Sequence, residues 1–555
     1  MPASVRTSAH TNERPGRRYV QTSTAVICIS LCSRGNGRPP GKNRRRRPAQ
    51  NSVVGSAKYF QRPATRIQPT ERPMASAQRP NILFLTTDQQ RFDCLGVNSG
   101  GYVKTPNIDR LAAEGVNLTG AFVNNPVCMP SRATLLTGRY PRNHGVTSNG
   151  FTLPEDEVSI AEILSQAGYR TGNLGKLHFL PHSNRDYDRA HPAYGFDVHV
   201  NADEPGCYPD DYIRWIRRVA PGMEEKVGVP HPITGDRNIL YWDFDAPEEL
   251  SYSAWVADQT IGFIDASGET PWFAIAGFYL PHSPCNPLPK YLDLYPRDSV
   301  PPPDVIPGEL DDKPTTVRRI AEAVLPEDEE TVMQFRRYYY ASCSMIDHHC
   351  GRIVEHLRQT GQLDNTLVVF YSDHGDACGD NFTMAKHEAH YDSCLRVPMV
   401  WRWPDRIPAG SSFEGFFEGV DLVPTLLAAL GLQVPDRVDG SSLWEQLTGS
   451  GGGGKESVLV EYFNPGNDQV QTEISRHTRY YQGGSSVLTL INSEYKYWIN
   501  DEGEEILYDR AEDPGEHVNL ACSPGHAAQL ARMRKALLQK LATTYDRRHR
   551  KLALY

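Results

Sequence analysis

Three short apolar runs, far apart in the chain, each stop abruptly at polar residues. Ile82 to Thr86 (ILFLT) ends before Asp88, Trp272 to Leu280 (WFAIAGFYL) before Pro281 and His282, and Leu367 to Tyr371 (LVVFY) before Asp373 and His374. Runs of this length without polar alternation fit strands buried on both faces, the kind found in parallel sheets covered by helices. Capped amphipathic segments alternate with them: TPNIDRLAAEG opened by Thr105 and Pro106, SIAEILSQAG opened by Ser159 and closed by Gly168, and a long segment from Thr331 to Thr360 before Gly361. That alternation predicts an α/β fold. Ligands collect outside the carboxyl ends of strands in such sheets, so the three polar termini are expected on one rim.

The chain of 555 residues also divides by composition. Residues 1–78 are rich in Arg, Pro, Ser and Gly, carry the basic run Arg44 to Arg47, and show neither periodicity, so they are expected to be a disordered or leader segment. The apolar stretch Thr24 to Cys32 resembles a signal-peptide core behind Arg14, Arg17 and Arg18 but lacks a small-x-small cleavage site. A cytoplasmic location is therefore expected, with a periplasmic or secreted one as the alternative. Residues 79–450 form the expected large α/β domain. The glycine run Gly451 to Gly454 marks a linker to residues 451–555, where Val458 to Phe463, Val487 to Trp498 and Glu505 to Tyr508 read as short strands. A last helix presents Leu530, Met533, Leu537 and Leu541 on one stripe.

A net charge of −9 offers no global attraction for nucleic acid, so an anionic ligand needs a local positive site. No apolar run reaches the roughly 18 residues of a membrane helix. The eleven cysteines lack C-x-x-C pairs, which indicates neither a disulfide framework nor a cysteine zinc site. One of them is oddly placed. Cys128 lies between Pro126 and Pro130, with Pro130 at an expected first helical position and Ser131 and Arg132 behind it. Its sulfur would sit where helix N–H groups favour anions. A C-x5-R phosphatase loop fails because position 134 is threonine, and GNLGK at Gly172 to Lys176 fails as a P-loop on glycine spacing.

Cys128, Pro130, Ser131 and Arg132, followed by Thr137, Gly138 and Arg139, resemble the sulfatase signature C-x-P-S-R then T-G-R. The likeness runs from about Asn81 to Ala521, through RVPMVWRWP (Arg396 to Pro404), VDLVPTLLAALGL (Val420 to Leu432) and LYDRAEDPGEHVNLA (Leu507 to Ala521). It implies the alkaline-phosphatase-like fold of the formylglycine-dependent sulfatases: a large mixed sheet flanked by helices, with a smaller C-terminal α+β subdomain. It further implies that Cys128 is oxidised by a formylglycine-generating maturation enzyme. One hydroxyl of the resulting hydrate attacks sulfur, and the other, deprotonated, expels sulfate.

The resemblance also assigns roles. Asp88, Gln89, Asp373, His374 and residue 128 match the metal positions. The commonest family pattern has two acids at the first pair and Asp-Asn at the second, so Gln89 and His374 depart from it. Calcium is expected first by the resemblance, with manganese or magnesium as alternatives; less negative charge and an imidazole shift the preference toward softer ions such as manganese. Lys176 and His178 (GKLH) match the lysine and histidine flanking formylglycine, His282 in LPHSP the histidine touching the ester, and Lys386 the lysine supporting the leaving oxygen; Arg132 completes the catalytic set. His348 and His349 read as surface residues. Asn201 to Asp245, with Cys207, Tyr208, Trp215 and Trp242, is expected to shape the pocket, its aromatics either stacking on sugars or packing. The implied activity is hydrolysis of sulfate monoesters of small molecules or glycans. The alternatives are a phosphonate monoester or phosphodiester hydrolase of the same superfamily, which favours histidine at position 374, and an inactive sulfated-glycan-binding relative.

Overall fold

The computed structural model describes residues 79–181, 191–206, 210–228, 240–326, 328–386, 388–464 and 485–546. The expected leader or disordered segment 1–78, with its basic run and its apolar stretch, lies outside the described residues, as do Cys207 and Tyr208. Fourteen strands follow in chain order among them: β1 Asn81–Asp88, β2 Val116–Leu118, β3 Ala121–Phe122, β4 Arg170–Gly175, β5 Val198–Asn201, β6 Trp272–Pro281, β7 Thr366–Ser372, β8 Met399–Arg402, β9 Ser411–Phe413, β10 Phe417–Glu418, β11 Ser457–Tyr462, β12 Val487–Asn492, β13 Tyr495–Asn500 and β14 Glu505–Asp509.

Eight of these make one sheet in the order β5-β4-β6-β1-β7-β8-β2-β9. The three apolar runs are its centre: β1 lies between β6 and β7 and is parallel to both. β8 enters antiparallel between β7 and β2, so the sheet is mixed. Along β1 the side chains alternate between two cores. Leu83 and Leu85 face the one that includes the helices Tyr252–Ser267 and Glu329–Gln359, whereas Ile82 and Phe84 face the one that includes Cys128–Thr137 and Leu422–Ala429. Double-sided burial is why these strands read as unbroken apolar runs.

Two expected boundaries shift for local reasons. The long helix begins at Glu329, not Thr331, because Asp328 is the residue whose side chain accepts the Thr331 N–H. Val487 to Trp498 is a hairpin instead of one strand, since Asn492 Oδ1 accepts from the N–H groups of Glu494 and Tyr495 and turns the chain. Among the described residues no helix is long and apolar enough to cross a membrane. Eight described cysteines are free, and all but Cys522 are buried.

β11 to β14 form an antiparallel meander covered by the helix Ala527–Thr543. Leu530, Met533 and Leu537 from that helix share a core with Leu459, Leu490, Tyr497 and Leu507, and with Tyr140 and Val420 from outside the meander. A buried ionic knot fastens the same junction. Glu418 receives Lys455, Lys540 at 3.3 Å, the Leu459 N–H at 2.8 Å and the Tyr140 hydroxyl at 3.1 Å. Burial alone would raise the Glu418 carboxyl, yet Lys455, Lys540 and these hydrogen bonds hold it down at about 2. Asp421 shares Lys455 but is pushed up, by burial and then by the neighbouring Glu418 charge.

A depressed folded-state pKa adds stability above the unfolded value and loses it as pH falls through the folded one. The Glu418 contribution is thus complete above about pH 4.3 and fades toward pH 2. Glu418→Gln is expected to cost about 3 kcal/mol at neutral pH, because it leaves half-buried Lys455 and Lys540 short of a counter-charge. Melting temperature measured against pH should show a shallower acid limb for the variant than for the wild-type chain.

Candidate functional site

The register of the central strands sets the site. Asp88 at the end of β1 lies opposite Pro281 of β6, and the preceding Thr87 lies opposite Ser372 of β7. Asp88, His282 and Asp373 therefore leave the sheet at one rim, as the three polar termini predict. Lys176 reaches the same rim from the end of β4, where Gly175 and Gly277 permit a close approach. A Cβ on Gly277 would stand 2.4 Å from the Lys176 carbonyl oxygen, and one on Gly175 would stand 2.2 Å from the Gly277 oxygen.

The fourth contributor is the helix Cys128–Thr137, all of whose residues are buried. It starts at Cys128 and not at Pro130, because Val127 takes the extended cap conformation and its carbonyl already accepts the Ser131 N–H at 3.0 Å. Cys128 and Arg132 are four residues apart and so share the face turned to the rim. Ser131 Oγ fixes that face by donating to the Asp373 carbonyl.

Around Arg132 the two carboxylates divide their oxygens. Arg132 Nε lies 2.6 Å from Asp373 Oδ2 and its terminal nitrogen 3.0 Å from Asp88 Oδ2, while Lys176 Nζ is 2.8 Å from that same Asp88 oxygen. The Oδ1 atoms face the other way, 3.9 Å (Asp88) and 3.8 Å (Asp373) from His374 Nε2. Cys128 Sγ completes the group, 3.2 Å from His374 Nε2 and 3.7 Å from Asp88 Oδ1. One ligand atom from each of Asp88, Cys128, Asp373 and His374 lies within 4.8 Å of the others.

Charge and tautomer follow from these contacts. Burial opposes ionisation of Asp88, but Lys176, His282, Arg132 and His374 hold it well below the usual carboxylate range. Burial lowers His374, and Lys386 adds to the effect, so the ring is neutral near pH 7. Its Nδ1 lies 2.9 Å from the Gly375 carbonyl, which only accepts; Nδ1 carries the proton and Nε2 turns a lone pair into the cluster. Two carboxylate oxygens, a neutral imidazole nitrogen and the residue 128 side chain fit a divalent cation, the second carboxylate oxygens being anchored behind by Arg132 and Lys176.

The Cys128 thiol behaves unlike an activated nucleophile. Burial and then Asp88 push it up to about 12, against the pull of Lys386 and Lys176. Its place at a helix N-terminus does not offset that.

Lys386 sits on the other side of the rim, with Nζ 2.8 Å from His282 Nε2 and donating to Gln89 Oε1. Burial and then Lys386 lower His282, leaving it neutral. Gln89 holds a left-handed backbone, φ 67°, rare for a residue with a side chain. Its N–H donates to Asp373 Oδ1 at 3.0 Å, and its carbonyl accepts from the Tyr339 hydroxyl. Its side-chain amide joins Lys386 to Asp376. His178, also left-handed at φ 58°, follows two residues after Lys176, its N–H bonded to Asp203 Oδ1 at 2.8 Å.

Sequence reasoning passed over Asp376, Tyr339, Tyr279 and Asp203. Asp376 lies two residues past His374, in the stretch SDHGD from Ser372 to Asp376, so its motif was visible. Tyr279 places its ring 5.2 Å from Lys176 Nζ and its hydroxyl 3.1 Å from His282 Nδ1. Tyr339 is one of three successive tyrosines in a long helix and carries no separate signal. One expectation is corrected: His349 is 1% exposed, packed where the helix Glu329–Gln359 turns inward, and only His348 is at the surface. Of the pocket aromatics, Trp215 stacks on buried Tyr212, and Trp215 and Trp242 both lie partly buried against the core; the packing reading describes them.

Comparison with known proteins points the same way. The family model described as Sulfatase matches residues 80–432, and one described as N-sulphoglucosamine sulphohydrolase, C-terminal, matches residues 383–543. An arylsulfatase of Clostridium perfringens is 30% identical over 83% of this chain and 94% of its own. An ulvan-active sulfatase of Formosa agariphila is 28% identical over 84% of this chain and 82% of its own. A solved structure of a phosphonate monoester hydrolase from Silicibacter pomeroyi superposes with a TM-score of 0.74 at 26% identity, covering 86% of this chain and 98% of that one.

Proposed function

The chain belongs to the sulfatase family and is a sulfuric ester hydrolase of the alkaline phosphatase superfamily, and on that premise we propose that it cleaves sulfate monoesters with a formylglycine matured from Cys128 beside a divalent metal. The observation that carries this reading is the setting of Cys128. Its sulfur is in the donor cluster with Asp88, Asp373 and His374, yet it is held as a protonated thiol with a pKa of about 12. A thiol so placed is a poor nucleophile, whereas a carbonyl hydrate there presents hydroxyl oxygens, which hard cations prefer.

The metal would be held by Asp88, Asp373, His374 and residue 128, with calcium first by family and manganese or magnesium as alternatives; Gln89, the fifth position of the resemblance, is left out of the set because its side-chain amide is taken up by Lys386 and Asp376. When bound it supplies positive charge that polarises an ester oxygen and favours deprotonation of a hydroxyl. The chain's own residues do the rest. Lys176 and Arg132 hold Asp88 ionised and oriented, and Arg132 Nε orients Asp373. Neutral His282 accepts a hydrogen bond from Lys386 through Nε2, so the two act as one unit in which a proton can be held near the departing oxygen. Lys386 stabilises charge developing on that oxygen. The substrate class proposed is a sulfated small molecule or glycan, in line with what the named relatives act on.

A second reading is favoured by a specific observation. His374 faces the cluster where the commonest sulfatase pattern has an amide, and the phosphonate monoester hydrolase structure matches over most of both chains. Turnover of 4-nitrophenyl sulfate and of a 4-nitrophenyl phosphonate monoester by one preparation separates the two. The proposal expects kcat/KM for the sulfate to be larger, and a larger value for the phosphonate overturns it. Chelation should remove activity against either ester, and calcium, manganese or magnesium should restore it.

A further inference from the structure

Asp376 is fully buried and outside the donor cluster, and each of its oxygens has a separate task. Oδ1 accepts the N–H groups of Cys378 at 2.7 Å and Ala385 at 3.0 Å, both residues in the left-handed region, and so pins the loop that delivers Lys386. Oδ2 accepts from Gln89 Nε2. Arg91 secures the same turn through the carbonyls of Asp376 and Ala377, at 3.2 and 2.9 Å. A carboxylate only accepts and an ammonium only donates, so the Gln89 carboxamide, placed between Asp376 and Lys386, has one workable orientation.

We infer that Asp376 is a positioning residue for the hydrolysis: it fixes the Gln89 amide so that Gln89 Oε1 holds Lys386 against His282. The order of donors runs Lys386 to Gln89 to Asp376, with Lys386 also donating to His282 Nε2. Asp376→Asn keeps the shape and reverses one link. The two backbone N–H groups retain the asparagine oxygen, which puts its NH2 opposite Gln89 Nε2, donor against donor. If Gln89 flips, its own NH2 meets the Lys386 ammonium, which cannot accept. Lys386 loses its anchor either way. Asp376→Asn combined with Gln89→Glu restores the order, because the new amide donates to the new carboxylate, whose second oxygen accepts from Lys386.

The activity consequence rests on the sulfatase reading, in which Lys386 supports the leaving oxygen. An activated leaving group needs that support least. Asp376→Asn is therefore expected to lower kcat for an alkyl sulfate at least about tenfold more than kcat for 4-nitrophenyl sulfate, with KM little changed. Its melting midpoint should fall by a few degrees, and the double variant should recover most of the loss in both measurements. An unchanged midpoint and unchanged alkyl-to-aryl ratio overturn the inference. So does a lower midpoint with an unchanged ratio, which is what a purely structural carboxylate would give, and so does a double variant no better than Asp376→Asn alone. Should the wild-type chain cleave phosphonate esters and no sulfate, the sulfatase reading fails by itself. The same ratio, read on alkyl and aryl phosphonates, then judges Asp376.

Discussion

Cys128→Ala is expected to abolish ester hydrolysis, with a loss of about 10⁴-fold or more in kcat, while the melting temperature changes little. The size of the effect follows from what else in the site could attack. Among the described residues, the other side chains of the donor cluster are carboxylates bound to cations and an imidazole aimed at the same point. Burial and Asp88 push the thiol itself up to about 12, which leaves it protonated in the metal-free site at pH 7. On the proposed reading, chemistry at position 128 requires the thiol to have been converted to formylglycine. Steady-state assay of the variant beside wild type, with melting curves for both, checks the expectation. Retained turnover in the alanine variant would place the nucleophile elsewhere.

The second large effect belongs to Asp88. Asp88→Asn removes the charge that balances Lys176 at 2.8 Å and half of what balances Arg132. Taking one partner from a buried ion pair leaves an uncompensated charge and costs about 3–5 kcal/mol. The measurement belongs in chelator, where only the protein's own ion pairs contribute. Activity with metal restored should still fall by about 10³-fold or more, since the carboxylate proposed to hold the cation becomes an uncharged amide. A variant as stable as wild type in chelator would mean that Arg132 and Lys176 do not depend on Asp88 for their counter-charge.

Much of this site was legible because apolar runs of the central sheet stop where chemistry starts. Asp88, His282 and Asp373 were readable as strand termini, and the parallel pairing of β1 with β6 and β7 is what makes three distant segments one rim. The Cys128 to Arg139 stretch was legible for a different reason, a dense motif on one helix. Orientation was hidden. Nothing in a string of letters tells that the Oδ2 atoms of Asp88 and Asp373 turn to Arg132 while their Oδ1 atoms turn to His374. Hydrogen-bond order was hidden too, which is why Gln89 drew notice for its position and Asp376, its partner, drew none. The helix start at Cys128 instead of Pro130 and the burial of His349 were settled by local geometry and packing, which propensities do not resolve.

The claim that organises the rest is that residue 128 carries a carbonyl and no longer a thiol in the active protein. Mass spectrometry of the peptide spanning residues 124–146, from chain isolated with measured activity, tests it directly. The account predicts that the active preparation has lost one sulfur and two hydrogens and gained one oxygen at residue 128, in proportion to its specific activity. A fully active preparation whose Cys128 retains its sulfur would contradict it.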